Sequence, residues 1–273
     1  MKKITTFLLS IIAFSAFAQM DTIYTNSEKI PCNIKEITPD AVKFTYKGED
    51  LINSVYKSTI QKIVMKSGRV QNFAEATSYK TIKSAEDFDN VTLTSVESEV
   101  KGLFKLGDVS SKARGTTALA SMEKVKERAN RKMKVVAAMM GANIVYLTQN
   151  TTVGNQMGTQ YQAAKHTETN LAGIAYSNKL PSYDDFEKTI GNKTLFLTYE
   201  RLKLSGSDAD FAKSSFSKSV QLQKLYNESG LIMMNAKIEG VDNNTFRVID
   251  FTNEEFTLVW KDGDTIYNFR IKI

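Results

Sequence analysis

One stretch of this chain has a helical apolar period, and almost everything around it has the period of a β-strand. Leu119, Met122, Val125, Ala129, Met133, Val136 and Met140 recur at three- and four-residue intervals, which places them on one face of an α-helix over 117–140. At 1.5 Å per residue such a helix is roughly 36 Å long. Gly141 ends it, and 144–147 begin a strand.

Before the helix, over 21–73, lie the short segments DTIYT, KIPCNIKEI, AVKFTYK, QKIVMK and RVQNF. Thr38-Pro39-Asp40 and Ser67-Gly68 supply turns, and Val42, Phe44 and Tyr46 alternate with polar residues as in a half-buried strand. This predicts a small antiparallel sheet or barrel of about five strands. The polar segment 74–90 reads as a linker, and 149–166, rich in Gln, Asn, Thr and Gly without an apolar period, as a loop before a strand at 170–176. From 193 onward TLFLTYERLKL, SVQLQKLYN, LIMMNAKIEG, TFRVIDF, EEFTLVW and TIYNFRIKI predict an antiparallel meander of about six strands. Lys261-Asp262-Gly263-Asp264 joins the last two as a hairpin. Phe256, Leu258 and Trp260 share one face, and Tyr267, Phe269, Ile271 and Ile273 the face opposite them. The expected class is α+β, with a small β domain at 19–75, an α+β unit with one long helix at 91–178 and a β-meander domain at 190–273.

Residues 1–18 read as a secretory signal peptide: Lys2 and Lys3 are a basic start, 7–16 an apolar run too short to span a bilayer, and Ala16-Phe17-Ala18 a small-x-small cleavage site. The expected product is soluble, periplasmic or secreted, and starts at Gln19. Lipid attachment would need a Cys at the cleavage point, whereas the single cysteine, Cys32, alternates with Ile30 and Ile34 as a buried structural thiol would. One cysteine excludes an internal disulfide, so the fold is held by packing. The net charge is +6, and Lys2 and Lys3 account for two of those charges. The remainder suits an anionic partner such as a phospholipid surface and, in an exported protein, does not point to nucleic acid.

The helix face opposite the apolar stripe carries Lys124, Arg128 and Arg131, with Lys132 and Lys134 nearby. Such a stripe suits lipid headgroups, a glycan or an acidic protein, although Glu123 and Glu127 interrupt it and the plainer reading is a solvated face. Met122, Met133, Met139 and Met140 sit at core spacing rather than as a copper set. The sole histidine, His166, falls in the polar loop, and no G-x-S-x-G, G-x-x-x-x-G-K or G-x-G-x-x-G occurs. No catalytic, metal or cofactor residue is therefore assigned. The carboxylate pairs Asp184-Asp185, Asp208 with Asp210, and Glu254-Glu255 lie beside turn-rich or linker sequence, where Asp is favoured for its backbone hydrogen bonds.

The order KGLFKLGDVS (101–110), helix, MGANIVYL (140–147), polar loop and LAGIAY (171–176) resembles the YbjQ-like family and the core domain of the Rcs-pathway envelope-stress lipoprotein. Gly107 and Gly141 permit tight strand-helix turns there, Asn143 bridges a turn and Gly173 allows close backbone approach. The resemblance covers about 95–178 and implies a helix packed on a small sheet. The disulfides and lipid anchor of the Rcs protein, and the heavy-metal label of some relatives, find no matching residues here. The N-terminal module resembles, on pattern alone, SH3-like or Sm-like barrels and small β modules of exported Bacteroidetes proteins.

The sequence thus leads to a non-enzymatic exported cell-envelope binding protein whose partner is an envelope protein, a lipid or a glycan. The alternatives are a lipocalin-like carrier of an apolar ligand in the C-terminal strands and a carboxylate-dependent hydrolase.

Overall fold

A computed structural model describes residues 20–25, 28–73, 79–117, 120–156, 158 and 164–273. The expected signal peptide and cleavage point, and Leu119 of the helix stripe, lie outside these residues. The chain divides into two compact units, Met1–Ala76 and Thr77–Ile273.

The first unit contains β1 (Asp21–Thr25), β2 (Lys29–Ile37), β3 (Ala41–Thr45), β4 (Asn53–Tyr56), β5 (Ile60–Val64) and β6 (Val70–Asn72). They form one sheet in the order β4-β3-β2-β1-β5-β6, one strand more than expected. The extra strand is β4, NSVY, in which no residue is fully buried, so it carries little apolar signal. Ile23, Ile30, Cys32, Val42, Phe44, Ile60 and Ile63 make the core. Asp21 ties three segments together: its carboxylate accepts from the Ile34 amide at 3.0 Å and the Lys66 amide at 2.7 Å. Ile34 lies just past the end of the β1–β2 ladder, whose last pair is Asp21 with Cys32.

The second unit opens with β7 (Thr92–Thr94), β8 (Phe104–Arg114), α1 (Met122–Met139), β9 (Ile144–Val153) and β10 (Glu168–Ser177). The sheet order is β7-β9-β10-β8, with β7 parallel to β9 and the other pairs antiparallel. Residues 149–153, expected in a loop, belong to β9: the ladder with β10 needs backbone groups rather than apolar side chains, and Thr152 meets Thr169 hydroxyl to hydroxyl at 3.0 Å. Gly173 is required by this pairing, since a Cβ there would lie 2.5 Å from the Tyr146 carbonyl oxygen.

Then come α2 (Tyr183–Ile190), β11 (Leu195–Leu204), β12 (Ala212–Ser215), β13 (Ser219–Glu228), β14 (Leu231–Ile238), β15 (Thr245–Phe251), β16 (Glu255–Asp262) and β17 (Thr265–Lys272). β11 pairs with both β13 and β17, so β11 and β13–β17 close into a ring, with β12 on the same edge of β11 as β13 and in line with it. The inward faces carry Phe196, Val220, Ile232, Met234, Phe246, Phe256 and Phe269, and Phe186 of α2 joins them. Phe196 and Phe246 stand edge-on to Phe256 and Phe269 at 5.3 and 6.0 Å, so aromatic rings pack together inside the ring of strands.

Part of the outward face of the barrel is covered. Leu202, Leu204, Val259 and Ile266 belong to the same core as Ala129, Met133 and Met139 of α1 and Val109, Val145 and Leu171 of the first sheet. Helix α1 begins at Ser121, whose hydroxyl accepts the Lys124 amide, and ends in a Schellman turn at Gly141 (φ 73°). The Gly141 and Ala142 amides return to the carbonyls of Ala138 and Ala137 at 2.8 and 2.9 Å. The next two helix carbonyls are capped from the barrel: Asn268 donates to Met139 at 2.9 Å and Arg247 to Met140 at 2.7 Å. This interlocking explains why 91–178 and 190–273, expected as separate domains, form one compact unit. The described fold is mostly antiparallel β, with seventeen strands against two α-helices, rather than clearly α+β as expected.

Candidate functional site

Lys124, Arg128 and Arg131 are all exposed on α1, but the last two are engaged within the protein. Arg128 donates to the Arg114 carbonyl at 2.9 Å. Arg131 pairs with Asp210 at 2.5 Å and lies 4.2 Å over the Phe88 ring. The stripe is therefore partly consumed in fastening α1 to its surroundings.

Lys132, grouped by sequence with that solvated face, is instead buried, at 6% exposure. The spacing from Val125 through Ala129 and Lys132 to Val136 is four, three, four, so Lys132 occupies a place in the apolar stripe itself. Its ammonium donates to the Gly206 carbonyl in the loop after β11. Burial lowers the lysine pKa, and the carboxylates of Asp208 and Asp264 partly oppose that shift.

Lys132 lies on the wall of a cleft of about 390 Å³. The first sheet contributes Ser110, Lys112 and Asn170, and the barrel contributes Lys261 and Asp264. Lys112 is held by Glu168 at 2.8 Å. Ser111, also on the wall, is committed to the helix, donating to the Ala129 carbonyl at 2.8 Å. Ammonium, amide and hydroxyl groups thus converge from three elements on a space the size of a small-molecule site.

The carboxylate pairs remain apart, each with local partners. Asp184 and Asp185 sit in the first turn of α2, where the helix dipole favours them. Asp208 accepts from the Ser205 amide at 3.3 Å, and Asp210 binds Arg131. Glu255 accepts from the Tyr199 hydroxyl at 2.5 Å, which with burial raises that phenol to about 12. Sequence inspection passed over Asp250, whose carboxyl is pushed up to about 6 by burial. It also passed over Glu86, in a 3₁₀ turn over Ala85–Asn90. Burial pushes the Glu86 carboxyl up, but hydrogen bonds from Ser84 and Lys213 and the charge of Arg270 outweigh it and hold the pKa down to about 2. Arg270 bridges Glu86 and Glu200 at 3.1 and 2.9 Å. His166 is partly buried, its Nδ1 has no hydrogen-bond partner, and it lies outside the cleft wall. Among the described residues no group of three or more His, Cys, Asp or Glu is placed to hold a metal ion, and no helix is long and apolar enough to cross a membrane.

No protein-family model matches the chain, and no curated protein and no solved structure matches it significantly.

Proposed function

We propose that this chain is an exported cell-envelope binding protein, and that the Lys132 cleft takes a small acidic saccharide, such as a uronate, without transforming it. The observation that carries this reading is a buried ammonium on the wall of a cleft where Lys112, Lys261, Asn170, Gln149 and serine hydroxyls stand beside one carboxylate, Asp264, and an apolar floor of Val136, Leu171, Leu204 and Ile266. Burying a lysine is costly unless its charge has a use or a partner, and a carbonyl is a weak partner for it. Amides and hydroxyls match sugar hydroxyls, while the amines match a carboxylate. Export rests on Lys2, Lys3 and the apolar run that follows. The succession β8, α1, β9, β10 carries the three blocks that resemble the YbjQ-like family and the Rcs-pathway envelope lipoprotein, and this supports placing the middle segment beside them. The filled barrel interior favours this cleft over a lipocalin-like cavity as the binding place.

Titration calorimetry with glucuronate and glucose tests it. Glucuronate is expected to bind and glucose to bind at least tenfold more weakly, with Asn170→Ala and Lys132→Met each reducing glucuronate affinity. Equal binding of both sugars, or unaltered affinity in both variants, would reject the site. Amino-terminal sequencing of the exported form tests the first part, with Gln19 as the expected start.

A further inference from the structure

Arg247 sits on β15 between Phe246 and Val248, which point into the barrel, so its own side chain lies on the outer face beside the end of α1. It borders a groove of about 350 Å³ on the molecule's surface. Leu106, Met233, Val259 and Ile266 supply apolar wall. The guanidinium has five donors and spends one on the Met140 carbonyl. Desolvation is the sole cause acting on its pKa, which falls to about 10; no carboxylate contributes. Glu228 and Lys261, also on the wall, are exposed and opposite in sign, so they leave Arg247 as the uncompensated charge.

A guanidinium withdrawn from water, with spare donors and apolar walls, matches one chemistry: a carboxylate head in bidentate contact and a hydrocarbon tail along the wall. A neutral hydrocarbon would leave the donors unmet, and a small hydrophilic anion would leave the apolar wall uncovered.

We propose that this groove is a second ligand site, separate from the Lys132 cleft, which binds a single-chain aliphatic carboxylate with its head on Arg247. The site stands outside the barrel, against the helix terminus, not in the barrel interior.

Decanoate, decylamine and decanol, each below its micellar concentration, are titrated into the whole protein. Decanoate is expected to give a saturable heat in titration calorimetry, and the other two at least tenfold weaker responses. Arg247→Met is expected to weaken decanoate at least tenfold. Because that substitution also removes the bond to Met140, Met233→Phe narrows the groove without touching it and is expected to weaken decanoate as well. Absence of a saturable decanoate response, a response to decylamine as strong as to decanoate, or full affinity in Met233→Phe overturns the inference. Loss of glucuronate binding alone leaves it standing, because the two ligands report on different residues.

Discussion

Single residues of this protein are set by what surrounds them more than by their type. Cys32 is fully buried among isoleucines, and burial together with the charge of Asp21 raises its thiol to about 11. The thiolate is the reactive form, so Cys32 is expected to resist dithionitrobenzoate at pH 8 in the folded protein and to react within minutes in guanidinium. Rapid labelling without denaturant would contradict its burial. Asp250 behaves oppositely to a salt-bridged carboxylate. Its folded pKa of about 6 lies above the usual value near 3.9, so the stability linked to it is full below that usual value and is lost as pH rises through about 6. Asp250→Asn is therefore expected to raise the urea midpoint at pH 7.5 and to leave it unchanged near pH 4. The burial of Cys32 was legible because Ile30 and Ile34 flank it at strand spacing. That of Lys132 was also legible in principle, since it completes a four-three-four apolar spacing, but its charge drew attention to the solvated side. Arg247 could not be read this way: it alternates with Phe246 and Val248 on β15, and its burial depends on the end of α1, which lies more than a hundred residues earlier.

At the scale of elements, closure and capping decide what can be changed. Gly141 holds a positive φ at the end of α1, and a Cβ there would come 3.2 Å from the Cβ of Ile249. Gly141→Ala is expected to cost about 1–2 kcal/mol, the usual penalty of a left-handed residue. Gly173→Ala places a methyl against the backbone of β9, which cannot move without breaking the ladder, and is expected to cost about 2–3 kcal/mol. Urea unfolding of both variants checks the order; an equal or reversed effect would show that β9 gives way easily. Element identity was mostly visible in the period of apolar residues, which marks α1 and nearly every C-terminal strand. β4 and the far half of β9 were not, because their ladders are built from polar side chains that carry no apolar alternation. Strand closure was equally hidden: nothing in the spacing of β11 distinguishes a neighbour of β13 from a neighbour of both β13 and β17.

For the molecule as a whole, the chain divides into two compact units. Val259, on the outer face of the barrel, belongs to the core shared by α1 and the four-stranded sheet. Val259→Asp buries a charge in that shared core, so amide signals from 79 to 273 are expected to collapse together while those of the first unit persist. A mutant that loses only the barrel would mean that the two sheets hold independently. The expected three-part division followed from composition, because the segments differ in pattern; their fusion depends on Asn268 and Arg247 reaching a helix more than a hundred residues earlier in the chain, which no local pattern announces. The pairing of β11 with β17 also carries a consequence for timing. Leu197 lies opposite Lys272, so the ring cannot shut on the ribosome until residue 272 has emerged. Until then β11 and β16 present bare edges, and the helix lacks the caps at Met139 and Met140. Maturation of the second unit is consequently a late, non-local event, slow by the standards of chains whose contacts are near in sequence, and the nascent polypeptide stays threadable for as long as it lasts.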